Sequence, residues 1–111
     1  MQIRFADAKL EKVLSVGKAL VRTYGQPMAK RIMTGLGVLM AADDLARVPT
    51  GGSIRCHQLT NDRDEQFAID LVHPRRLIFG IDQNPIPRLP DGGIDKSKVT
   101  RVLIVEIADY H

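Results

Sequence analysis

The sequence predicts an α+β fold, and three observations carry that prediction. From Asp7 to Met40 the apolar residues recur at the three-and-four spacing of a helix. After Pro49-Thr50-Gly51-Gly52 the period changes to two, and Val99 to Ile107 is a nearly unbroken apolar run of the kind that fills a buried strand. The expected architecture has two N-terminal helices packed on one face of a largely antiparallel sheet of about five strands.

Each element has its own signal. Gln2 to Phe5 alternates and suits a first strand. Asp7 can cap a helix whose apolar positions are Leu10, Val13, Leu14, Gly17, Leu20, Val21 and Tyr24, with Gly25 as its stop. Pro27 opens a second helix. Its predicted buried face is Met28, Ile32, Met33, Leu36, Leu39 and Met40, leaving Lys30, Arg31 and Thr34 outward. Gly35 and Gly37 each cost about 1 kcal/mol against Ala inside a helix, which close packing or an early fraying end would explain. Ile54 to Leu59 and Gln66 to Val72 flank the polar turn from Thr60 to Glu65 and predict an antiparallel hairpin. His73-Pro74 is a turn, Arg76 to Ile81 a strand, and the segment 82–98, with three prolines and two glycines, a long loop. The last strand is expected over Val99 to Ile107.

Composition bounds the function. A chain of 111 residues is expected to form one domain over residues 1–111. With 44% hydrophobic and 26% charged residues it reads as an ordinary globular protein. No apolar run approaches a membrane span, and the first residues lack the layout of a signal peptide, so a cytoplasmic location without a membrane partner is expected. Cys56 is the single cysteine, which excludes an intramolecular disulfide and predicts a buried, inert thiol. The net charge is +3, and its distribution is uneven. Between Asp7 and Met40 there are six cations, Lys9, Lys12, Lys18, Arg22, Lys30 and Arg31, against the acids Asp7 and Glu11. A basic face of this kind can bind phosphates by releasing counterions, or can simply be a solvated surface.

The polar groups at the end of the last strand are the strongest chemical feature. Asp109, Tyr110 and His111 place a carboxylate, a phenol and an imidazole where an apolar strand can hold them, as proton-transfer chemistry requires. No His-x-His or His-x-x-x-His spacing occurs, so no metal is expected.

An ordered set of segments carries a family resemblance. Gly52-Ser-Ile-Arg55-Cys-His57-Gln-Leu59, Asp62-Arg63-Asp-Glu-Gln66-Phe67-Ala-Ile69, Arg76-Leu-Ile-Phe79, Asp91-Gly-Gly-Ile-Asp95 and Glu106 to His111 resemble the HigB-type killer proteins of plasmid-maintenance toxin-antitoxin systems, in the RelE/ParE superfamily. The resemblance implies a toxin that cleaves mRNA in the ribosomal A site, with a RelE-like strand-helix-helix-strands fold and a helix-turn-helix, HigA-like antitoxin. It implies that Asp109, Tyr110 and His111 form the C-terminal catalytic cluster, that His57 is the histidine of the second strand, and that Arg55, Arg63 and Arg76 face nucleic acid. One turn departs from the pattern. Relatives commonly carry Gly-Asp-Arg-Lys-Gly-Gln where this chain has Asn61-Asp62-Arg63-Asp64-Glu65-Gln66, so two acids replace a cation and a glycine.

The implied chemistry needs no cofactor. Ribose supplies its own nucleophile, so the protein must deprotonate the 2′-OH, stabilise phosphate charge and protonate the leaving 5′-oxygen. His57 and His111 are the acid/base candidates, Asp109 would orient a histidine, and Tyr110 would stack on or hydrogen-bond a nucleotide. Arg55, Arg63, Arg75 and Arg76 are the candidates to hold the phosphate, and the six cations of the helical half are the candidates to dock on the ribosome. Two alternatives stand beside this reading: a non-catalytic, ParE-like gyrase poison, and an inactive regulatory member that binds antitoxin.

Overall fold

The computed structural model describes residues 1–109 of the chain. In chain order the elements are β1 (Gln2–Phe5), α1 (Ala8–Ser15), α2 (Gly17–Tyr24), α3 (Gln26–Ala41), β2 (His57–Gln58), β3 (Phe67–Asp70), β4 (Arg75–Ile81) and β5 (Arg101–Asp109). Single 3-10 turns lie at Leu45–Arg47, Asn61–Arg63 and Lys96–Lys98.

The expected first helix is two helices. Asp7 does cap α1, its carboxylate accepting the Leu10 amide at 2.7 Å. The chain then turns extended at Val16, with φ −106 and ψ 113, before α2 begins. Valine and glycine side by side are both poor helix formers, so positions 16 and 17 give a continuous helix little local support. The break still leaves Leu14 and Leu20 buried, at 3% and 1% exposed. Gly25 stops α2 as expected, with φ 81.

α3 runs to Ala41, so neither of its glycines marks a fraying end. A Cβ on Gly35 would lie 3.5 Å from Ile69 Cγ2 and 3.6 Å from Leu77 Cδ2, which places the helix directly on β3 and β4. Its buried stripe is Met28, Ala29, Ile32, Gly35 and Leu39. Met33 and Met40, expected in that stripe, are 58% and 64% exposed, lying to one side of it where α3 borders an open groove beside β1. Arg31, expected outward, is half-buried instead, with Nη2 donating to the carbonyls of Ser53 at 3.2 Å and Asp70 at 3.4 Å.

The five strands form one mixed sheet in the order β1-β5-β4-β3-β2, with β1 parallel to β5 and the other neighbours antiparallel. The hairpin strands are shorter than the sequence pattern suggests, and β5 is shifted towards the C-terminus of its expected range. Ile78 faces Glu106 while Phe79 faces Ile104, so Val105 is an extra residue in β5, a bulge that re-aims the strand end. Phe67, Ile69, Leu77, Phe79, Val102 and Ile104 share one buried cluster with Leu14, Leu20, Met28, Ile32 and Leu39 of the helices. A smaller cluster of Leu59, Ala68, Ile78 and Ala108 forms apart from it. Among the described residues no helix is long and apolar enough to cross a membrane.

Candidate functional site

Pairing across the sheet lines up His57, Ala68, Ile78 and Glu106 in one row, one residue from each of β2 to β5. The next row on the same face is Asp70, Arg76 and Ala108, because side chains two apart on a strand share a face. The opposite face carries Phe67 with Phe79 and Ile104, and Ile69 with Leu77 and Ile107, in contact with the helices. The polar rows therefore lie on the face turned away from the helices.

The imidazole of His57 is held at both nitrogens. Nδ1 lies 2.8 Å from the carbonyl oxygen of Arg55, and Nη1 of Arg76 lies 3.4 Å from Nε2. A carbonyl only accepts, so Nδ1 carries the hydrogen and donates; Nε2 then keeps its lone pair, which the Arg76 N–H meets. That tautomer presents a basic nitrogen beside a guanidinium, a pairing suited to proton abstraction next to a phosphate.

Carboxylates hold the arginines of this face. Arg55 grips Asp70 in a fork, Nε to Oδ2 at 2.6 Å and Nη2 to Oδ1 at 3.0 Å, and Arg76 Nε lies 3.5 Å from the same Oδ1. The hydrogen bond from Arg55, reinforced by the charges of Arg55 and Arg76, holds the Asp70 carboxyl below the usual carboxylate range against its partial burial. Arg63 bonds Glu106 Oε2 at 2.7 Å and Gln66 Oε1 at 3.1 Å. The turn that departs from the HigB-type pattern thus still directs its arginine onto the polar face.

The predicted residues divide into groups. His57, Arg55, Arg63 and Arg76 come together on the polar face. Arg75 and Asp109 pair with each other at 3.1 Å in a row one step away from Arg76 and Ala108, and Arg75 also lies 5.7 Å over the ring of Tyr24 in α2. Asp109 therefore sits on the helix side of the sheet, with Arg75 rather than with His57. Tyr110 and His111 lie outside the described residues. Of the basic residues in the helical half, Lys9, Lys12, Lys18, Arg22 and Lys30 are exposed. Among the described residues no group of three or more His, Cys, Asp or Glu is arranged to hold a metal ion.

Asp70 and Glu106 were not singled out from the sequence. Glu106 had a signal, being the one charged residue inside Val102-Leu-Ile-Val-Glu-Ile-Ala108. Asp70 had a weaker one, a carboxylate closing an apolar strand. A groove of about 1340 Å³ lies elsewhere, at the sheet edge, lined among others by Ile3, Phe5, Met33, Leu36 and Met40, and the polar face has no part in it.

Neither a protein-family model nor a curated protein matches the sequence. Solved structures match the fold. A YoeB/ParE toxin from Agrobacterium tumefaciens superposes with a TM-score of 0.57 at 9% identity, covering all of both chains. The fold is that of the YoeB/ParE toxins. A YoeB-YefM complex from Staphylococcus aureus gives 0.56 at 14% identity, and a heterotetrameric YoeB-YefM toxin-antitoxin complex from the same organism gives 0.53 at 15%, each covering all of this chain and 97% of the other. The YoeB/ParE likeness spans every element of the chain, and at these identities it concerns the fold. Within that fold, the polar face of β2 to β5 brings His57, Asp70 and Glu106 together with Arg55, Arg63 and Arg76.

Proposed function

We propose that the chain is the toxin of a type II toxin-antitoxin pair and a ribosome-dependent mRNA endoribonuclease of the HigB type. The observation that carries the reading is His57, with Nδ1 against the Arg55 carbonyl and Nε2 facing Arg76. Nε2 takes the proton of a ribose 2′-OH, the alkoxide attacks the adjacent phosphorus, and the 5′-oxygen leaves with a proton. The products are a 2′,3′-cyclic phosphate and a 5′-hydroxyl. Arg76 and Arg63 neutralise the phosphate as charge builds on its oxygens. His111 is assigned as the acid that protonates the leaving group, and Tyr110 as the partner of a base. No step calls on a metal or cofactor. Arg55, clamped on Asp70 beside His57, and Arg75, paired with Asp109 on the helix side of the sheet, act at the margin of the phosphate site.

The partners follow from the same reading. YoeB in the Staphylococcus aureus structures is complexed with YefM, which supports an antitoxin partner here, assigned as a helix-turn-helix protein from the family resemblance. Lys9, Lys12, Lys18, Arg22 and Lys30 are assigned to docking on ribosomal RNA, and Arg31, tied to Ser53 and Asp70, to the fold. The site of action is the cytoplasm.

The test is to map mRNA 5′ ends after induced expression of the wild-type chain and of His57→Gln. The wild type is expected to cut translated messages, and the variant to cut about 10²–10⁴-fold more slowly, the usual contribution of a general acid or base. Intact messages with inhibited DNA supercoiling would replace this reading with that of a gyrase poison.

A further inference from the structure

The backbone beside His57 is in an uncommon conformation. Arg55 has φ 43, in the left-handed region that residues with a Cβ disfavour. The peptide unit that follows is fixed at both ends: its N–H, on Cys56, donates to the carbonyl of Pro49 at 3.0 Å, and its C=O, on Arg55, accepts from Nδ1 of His57 at 2.8 Å. Asp70 addresses this bend twice, its amide donating to the Ile54 carbonyl at 3.0 Å and its carboxylate receiving the Arg55 fork. The same carboxylate lies 3.5 Å from Nε of Arg76, whose Nη1 faces His57 Nε2. Asp70, Arg55, His57 and Arg76 thus close a ring in which both imidazole nitrogens are reached through one carboxylate. The two contacts require the same tautomer: Arg55 accepts from Nδ1–H, and Arg76 donates to the lone pair on Nε2.

We propose that Asp70 and Arg55 are positioning residues that hold His57 in the Nδ1–H tautomer, Asp70 by clamping the Arg55 side chain so that its left-handed backbone aims the carbonyl at the ring. The strained φ persists because the surroundings over-determine it, as such outliers do at sites where geometry matters. The clamp takes its purpose from the reading of His57 as a base, but it makes a claim of its own about the ring. An Nε2–H tautomer would turn a donor towards Arg76 and leave no lone pair for the 2′-OH.

The test reads the ring directly. Long-range ¹H–¹⁵N correlation spectra of the full ¹⁵N-labelled chain, with His57 assigned against His57→Gln, report the tautomer. The wild type is expected to be almost wholly Nδ1–H. Asp70→Asn is expected to lower the ratio of Nδ1–H to Nε2–H about tenfold, the effect of losing support for one left-handed residue. Arg55→Gly and Arg55→Ala provide a second comparison. Both remove the clamp, but glycine enters the left-handed region freely, so Arg55→Gly should retain the Nδ1–H form and Arg55→Ala should lose it. A wild-type tautomer ratio in Asp70→Asn, or equal ratios in the two Arg55 variants, overturns the proposal. Cleavage assays on the same proteins separate it from the function. An unchanged ratio with slowed cleavage overturns the clamp and leaves His57 as the base, whereas a changed ratio with unaltered cleavage upholds the clamp and removes His57 from the chemistry.

Discussion

Glu65 and Arg88 meet in a fork, with Nη1 donating to Oε2 at 2.5 Å and Nη2 to Oε1 at 3.1 Å, and so join the turn between β2 and β3 to the loop between β4 and β5. The pair gives the second acid of the turn that departs from the HigB-type pattern a partner. Glu65 stands where the HigB-type pattern that the sequence resembles has glycine, and its φ is 67, a backbone that glycine adopts without cost. Its charge is taken up by Arg88, whose hydrogen bonds draw the Glu65 carboxyl below its ordinary range.

Two substitutions separate the backbone from the ion pair. Glu65→Gly and Glu65→Ala both delete the fork, but only alanine retains the disfavoured φ. The glycine variant should therefore have the higher urea midpoint, with the same slope. Equal midpoints would mean that the turn relaxes out of the left-handed region once the fork is gone.

The glycines of α3 should respond differently to size. A Cβ at position 37 meets nothing within 4 Å, so Gly37→Ala should stabilise the protein by about 0.5–1 kcal/mol through helix propensity. Gly35→Ala places its methyl in ordinary contact with Ile69 and Leu77 and should also be tolerated. Gly35→Leu should overpack the α3–sheet contact and cost about 1–3 kcal/mol. Thermal unfolding of the three variants checks the order.

Cys56 is 5% exposed, and burial pushes its thiol up to about 11 despite the opposing charge of Lys96. At pH 8 the thiolate would then be a fraction on the order of 10⁻³. Labelling with a thiol-reactive dye should be slow in the native protein and fast in denaturant. Rapid native labelling would show that the segment before β2 opens without global unfolding.

The acid limit of the clamp follows from the direction of the Asp70 shift. Its folded value lies below the unfolded one, so the stabilisation is fully present above the unfolded value of about 3.9 and is lost as pH falls through the lower folded value. The stability difference between the wild type and Asp70→Asn should be constant near neutrality and shrink only below about pH 4. A difference that fades already between about pH 7 and 5 would point to a histidine instead.

Much of the fold was legible because burial is periodic. Leu10, Leu14, Leu20 and Leu39 follow helical spacing, and the apolar runs around Phe67, Phe79 and Ile104 mark the central strands before any pairing is known. The break at Val16 was not legible, since the apolar spacing continues through it. Nor was the exposure of Met33 and Met40: hydrophobicity says that a residue can be buried, and only the packing of neighbouring elements says whether it is.

By itself the sequence determined the α+β class, the order of helices and strands, the single buried thiol, and the presence of His57 and several arginines in the hairpin half. These depend on local propensity and burial pattern, which neighbouring residues set among themselves. The tertiary structure alone decided that β1 runs parallel to β5, that a bulge at Val105 brings Glu106 into the row of His57, that Asp109 goes to Arg75, and that one carboxylate at Asp70 governs Arg55 and Arg76 together. Those outcomes depend on strand order and register, which are settled by contacts between residues distant in the chain, and a one-residue change of register would have sent His57, Asp70 or Arg76 to the opposite face.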